Sequence, residues 1–144
     1  MIHSKVVAKL LQTKAHNLKK YRKILREVYT RIRDQGQPCI IPGYGPAYFN
    51  PKNKAKDAIG ILTDYNQFIL GNLYSLISDD SMKHVVKKIS LLFDVNIDTE
   101  VEWARFSGFL QKIQDAHDEV FTQDARDISG FYMRLDDIKK EYKL

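Results

Sequence analysis

PKNKAKDAIGILTDYNQFILGNLYSLISD, residues 51–79, is the stretch on which the fold turns, because nothing else in the chain is so apolar for so long. Between Ala58 and Ser78 the only charge is Asp64. Ile59, Leu62, Tyr65, Ile69, Leu73 and Leu76 recur at steps of three and four, flanked by Ile61, Phe68, Leu70 and Ile77. That is a helical period with a wide apolar arc, and it predicts a long central helix over 51–79. Asn50 and Pro51 would cap and open it. Its polar side is one narrow stripe of Gly60, Asp64, Gln67, Gly71, Ser75 and Ser78, too poorly charged to be expected wholly in water. The length also approaches a membrane span of about 20 residues. Asp64, Asn66, Gln67 and Asn72 would each be costly in hydrocarbon, so no transmembrane segment is expected.

Upstream lies a linker, residues 36–50, holding three of the four prolines and three of the seven glycines of the chain. It predicts a loop, neither helix nor central strand. Its Tyr44, Tyr48 and Phe49 are expected to cover one end of a helical bundle, since a loop this long needs packing to stay ordered; an aromatic recognition loop is the alternative.

Before the linker, residues 4–34 read as one helix. Val7, Leu11, Leu18, Tyr21, Leu25, Val28 and Ile32 alternate steps of three and four through nearly four heptads, with Lys14 in one seam position. Lys5, Lys9, Lys19, Lys20, Lys23, Arg26 and Arg33 then fall on the outer positions, a cationic stripe about 40 Å long at 1.5 Å per residue. Gly36 is the expected stop.

Downstream, Asp79, Asp80 and Ser81 break the central helix and open a short one over 81–95 on Met82, Val85, Val86, Ile89, Leu92 and Phe93. Thr99 and Glu102 form a capping box that starts a helix over 99–121, carried by Trp103, Phe106, Leu110, Ile113 and Val120. A last helix over 124–143 runs on Ile128, Phe131, Tyr132, Leu135, Ile138 and Tyr142. The fold expected is therefore a single all-α domain, a bundle of about five helices with an apolar central helix.

The 144 residues suffice to bury a core without disulfides or metal, and a lone cysteine, Cys39, can form no internal disulfide. Lysines at 5, 9 and 14 interrupt any secretory signal core, so a cytoplasmic protein is expected; the basic, amphipathic start makes mitochondrial import the alternative. The net charge of +5 conceals a division: residues 1–34 carry ten Lys/Arg against Glu27 and Asp34, whereas residues 94–141 carry twelve acidic side chains against six basic.

No phosphate-binding glycine loop, nucleophile elbow, His-Glu-x-x-His or Cys-x-x-Cys is present, so no enzyme, metal site or cofactor is expected. His117, in a core position beside Asp115, Asp118 and Glu119, reads as a hydrogen-bonded histidine at the core edge. Asp64 is expected at the solvent edge or paired with a lysine of the basic helix. Cys39 has no base fixed beside it in sequence and is not proposed as a nucleophile. The cationic stripe is the one feature with a functional claim: such a face can lie along a phosphate backbone and release its counterions. Six of the ten cations are lysine, which suits charge neutralisation better than bidentate base reading. The expected function is a non-enzymatic binding protein docking on a polyanion, foremost nucleic acid, without sequence specificity. The competing expectation is an assembly subunit that self-associates as a homo-oligomer or holds an acidic protein partner through helical faces.

Overall fold

Helix α1 runs unbroken from Ile2 to Gln35. The computed structural model describes residues 2–65 and 76–144. It is, among the described residues, an all-α bundle, 67% helical, with a single two-stranded sheet. Among the described residues follow a small hairpin, β1 (Ile40–Ile41) and β2 (Gly45–Pro46), then α2 (Gly60–Thr63), α3 (Lys83–Phe93), α4 (Glu100–Gln123) and α5 (Ile128–Glu141). Of these, α2, α5 and the α3–α4 link pack along the C-terminal part of α1.

The heptad reading of α1 holds where the helix meets the body. Tyr21, Leu25, Val28 and Ile32 are buried, Ile24 joins them, and Leu18 is half-buried. Tyr21 stacks on Phe109 of α4 at 4.2 Å and lies 5.5 Å from Phe106. The stripe also contains Asn17, a buried amide. Its Nδ2 donates to the Asn96 carbonyl at 2.8 Å and to Glu102 Oε2 at 3.0 Å, while its Oδ1 accepts from the Asn96 N–H at 2.9 Å. One side chain thus clamps α1 to the α3–α4 link. The capping box is half formed for the same reason. Thr99 Oγ1 accepts from the Glu102 N–H at 3.2 Å, but the Glu102 carboxylate turns to Asn17 and Arg105.

The long helix expected over 51–79 is not formed in its described part. Residues 51–59 turn instead, α2 spans only Gly60–Thr63, and Asp64 ends it in the left-handed region at φ 54°. Positions 66–75 of that expectation, Gln67 and Gly71 among them, lie outside the described residues. The cause of the early interruption is local. Asn50 Oδ1 accepts from the Lys52 N–H, Asn53 Oδ1 from Ala55 N–H, and Asp57 Oδ1 from both Ile59 and Gly60. These short polar side chains offer the backbone partners that a helix would otherwise supply, which is how Asn and Asp compete with helices. Lys54 adopts a positive φ of 64°, and Phe49 pairs with Lys56 across the resulting turn. Gly60 is fixed by a close approach, for a Cβ there would meet the Tyr48 carbonyl oxygen at 2.4 Å.

The proline-rich linker does pack over the bundle. Ile40 pairs with Pro46 and Ile41 with Gly45 in an antiparallel hairpin whose turn uses Gly43 at φ 83°. Tyr48 and Phe49 are buried whereas Tyr44 is exposed.

Candidate functional site

The predicted contact residues lie where the helix period puts them. Lys5, Lys9, Lys19, Lys23 and Arg26 are exposed along the outer side of α1, and Lys20 is half-exposed. Among the described residues, no carboxylate lies within ion-pair distance of Lys5, Lys9, Lys14, Lys19, Lys20, Arg22, Lys23 or Arg26; the ion pairs of α1 are Arg31–Glu27, Arg33–Asp34 and His16–Asp94. Residues 66–75, NQFILGNLYS, contain no acidic side chain that could add one. The acidic helices pair among themselves instead, Arg134 with Glu119, Lys112 with Glu141 and Lys140 with Asp136. Arg33 stands apart from the other predicted contacts: Asp34 holds it at 3.2 Å and it sits 5.7 Å from the Tyr29 ring.

The fold adds side chains that reading α1 alone could not find. A groove of about 450 Å³ between α1 and α5 is lined by Arg22, Arg26, Tyr29, Tyr132 and Lys139. Tyr29 and Tyr132 meet edge to face at 4.9 Å, and about half of Tyr132 is exposed. An aromatic face therefore borders the cations, contributed by a helix a hundred residues further along the chain. Asp136, also on the groove wall, is paired with Lys140 at 3.1 Å.

A second constellation lies inside. Asp57, His117 and Asp118 each bring one possible ligand atom to within 4.8 Å of the others. The Cys39 backbone N–H donates to His117 Nε2 at 3.2 Å, and since that amide can only donate, the imidazole proton must reside on Nδ1, which faces Asp118 Oδ1 at 2.8 Å. Burial pushes His117 down to about 4, against the opposing pull of Asp57, so the ring is neutral near pH 7. Burial likewise raises Asp57 to about 7, and raises Asp118 to about 7 with help from Asp115 and Glu119. By count and distance these three residues could hold a metal ion. Each is already committed, however: a metal at Nε2 would displace the Cys39 amide, and one at Nδ1 would displace its proton, while Asp57 Oδ1 holds two amides at the start of α2. Cys39 makes no nucleophile–base pair with His117, because its amide rather than its thiol occupies Nε2, and burial pushes the thiol up to about 12. The cluster docks the hairpin and the 57–60 turn onto α4. His117 is thus fully buried rather than at the core edge. Asp64 is exposed and pairs at 2.8 Å with Lys56, not with α1, which holds its carboxyl below the usual range.

The molecule is an all-α bundle bearing a helix face on which eight cations have no ion-pair partner among the described residues. No protein-family model, curated protein or solved structure matches the chain. No helix among the described residues is long and apolar enough to cross a membrane.

Proposed function

We propose that the protein is a non-enzymatic binding protein that docks the outer face of α1 on a polyanion, foremost the phosphate backbone of a nucleic acid, without reading sequence. One observation carries this reading: eight cations on one helix have no ion-pair partner among the described residues. Like charges crowded on one face repel, and a phosphate backbone relieves that repulsion while releasing its own counterions. Lys19, Lys20, Lys23 and Arg26 make the central contacts, Lys5 and Lys9 extend them, and Arg33, already paired, contributes least. The α1–α5 groove adds Arg22 and Lys139, with Tyr132 offering a face on which an unpaired base could stack.

The test is binding to a mixed-sequence duplex over a range of salt. Simultaneous replacement of Lys19, Lys20, Lys23 and Arg26 by Glu should abolish binding and leave helical circular dichroism unchanged. For the parent, the slope of log affinity against log salt should correspond to about 0.9 per phosphate contacted. Retained affinity in the quadruple variant would overturn the reading. A second reading, self-association through helical faces, is favoured by a different feature: the bare apolar side of the first turns of α1.

A further inference from the structure

The first turns of α1 form an arm. Every residue from Ser4 to Gln12 is exposed, including Val6, Val7, Leu10 and Leu11 at 46–62% exposure. These are not scattered. Val7, Leu11 and Lys14 continue the stripe that Tyr21, Leu25, Val28 and Ile32 carry into the core, and Leu10 lies one heptad before the buried Asn17. The arm thus presents a core-type seam with nothing against it among the described residues, and at the body end of that seam stands Lys14.

At the root of the arm is its complement. His16 Nε2 donates to the Asp94 carbonyl at 2.7 Å, and Asn17 clamps Asn96, so the arm leaves the body at the α3–α4 link. The turns flanking that link expose Leu91 (83%), Leu92 (58%) and Val101 (64%). Asp98 lies in the link and Glu100 opens α4, both exposed and outside every ion pair among the described residues. The arm cannot fold back onto this patch, because α1 continues through Asn17 as a single helix.

We infer that the arm docks on the α3–α4 patch of a second copy of this chain, and that the second copy's arm docks reciprocally, giving a two-fold dimer. Lys14 meets Asp98 and Glu100, while Val6, Val7, Leu10 and Leu11 cover Leu91, Leu92 and Val101. Seven apolar side chains per chain, each 46% exposed or more, bring a symmetric pair to about 1,000 Å² of buried surface, the lower bound for a biological interface. An anionic bilayer is the weaker occupant: Lys14 in the line of the apolar seam opposes insertion, and the exposed seam has no aromatic anchor between Ser4 and Gln12. The outer cations stay free in the dimer, so this inference does not rest on the polyanion reading.

Light scattering over a range of protein concentration tests it. The particle mass should rise from 16.8 kDa toward twice that value. Val7→Asp with Leu11→Asp should hold the protein at monomer mass without loss of helical signal, since neither side chain packs in the body. The charge test is sharper. Lys14→Glu alone, and Asp98→Lys with Glu100→Lys alone, should each weaken the dimer at least tenfold. An equimolar mixture of those two variants restores both arm–patch contacts and should dimerise like the parent. A parent that stays monomeric at every concentration, an Asp variant that still dimerises, or a mixture that fails to associate would each overturn the proposal. So would a monomer that floats with phosphatidylglycerol vesicles through the arm.

Discussion

At Asp57 a single carboxylate carries two opposed duties. It accepts the Ile59 and Gly60 amides, at 3.0 and 2.6 Å, which want it charged, and it is buried beside Asp118, which wants it neutral. Burial wins, and its pKa climbs from the ordinary 3.8 to about 7. A carboxyl raised in the folded state holds its proton longer than in the unfolded chain, so its stabilising contribution is complete below about 4 and is lost as pH rises through 7. His117 acts in the opposite direction: held neutral by burial, it costs stability as pH falls from 6.5 toward 4. Asp57→Asn keeps the amide-accepting oxygen and removes the charge. We expect it to stabilise the protein at both pH 5 and pH 8, and by the order of 2 kcal/mol more at pH 8 than at pH 5, measured by chemical denaturation. Equal effects at the two pH values would show that Asp57 is charged at both, with no upward shift in the folded state. Nothing in the sequence marks Asp57 as a buried group, since it stands among the polar residues ahead of an apolar run. His117 was legible as a core histidine, but its partners come from positions 39, 57 and 118, and no spacing rule joins the first two to it.

Among the elements, the helices that were legible are those whose period is reinforced at the ends. Residues 4–34, 81–95, 99–121 and 124–143 differ from Ile2–Gln35, Lys83–Phe93, Glu100–Gln123 and Ile128–Glu141 by a few terminal residues. The difference from expectation falls on the described start of the apolar stretch, residues 51–65. Its period was helical, but Asn50, Asn53 and Asp57 satisfy backbone amides locally, and those bonds start before the periodic residues begin. Apolar periodicity reports which face can be buried, not where competing side chains capture the backbone. Asn17 is the converse case: a polar residue in the seam that makes three hydrogen bonds. Asn17→Ala removes all of them and leaves Glu102 buried with one partner fewer. We expect a loss of about 2–4 kcal/mol, read as a lower denaturation midpoint with an unchanged slope, and faster hydrogen exchange at Asn96. The cationic stripe was fully legible because surface position follows from the helix period alone. The α1–α5 groove was not, since Tyr132 and Lys139 reach Arg22 and Arg26 only through tertiary packing.

Over the whole molecule, charge is distributed unevenly, and the lysines and arginines of α1 are little compensated by the other described elements. The stripe on α1 repels itself, and the acidic helices supply ion pairs to their own lysines and arginines rather than to it. Screening should therefore help the fold: raising sodium chloride from low to about physiological strength, where the Debye length is about 8 Å, is expected to raise the melting temperature by a few degrees. A fall on adding salt would mean that attractive pairs dominate. The quadruple Glu variant of α1 should lose this dependence along with its affinity for a duplex.

The exposed arm also has a hydrodynamic consequence. Nine residues of bare helix extend about 14 Å and add friction out of proportion to their mass. The monomer should elute from a sizing column ahead of a sphere of 16.8 kDa, and its elution volume alone would imitate a larger particle. Scattered light weighs the particle instead of dragging it through solvent, which makes it the measurement able to tell a long monomer from a pair.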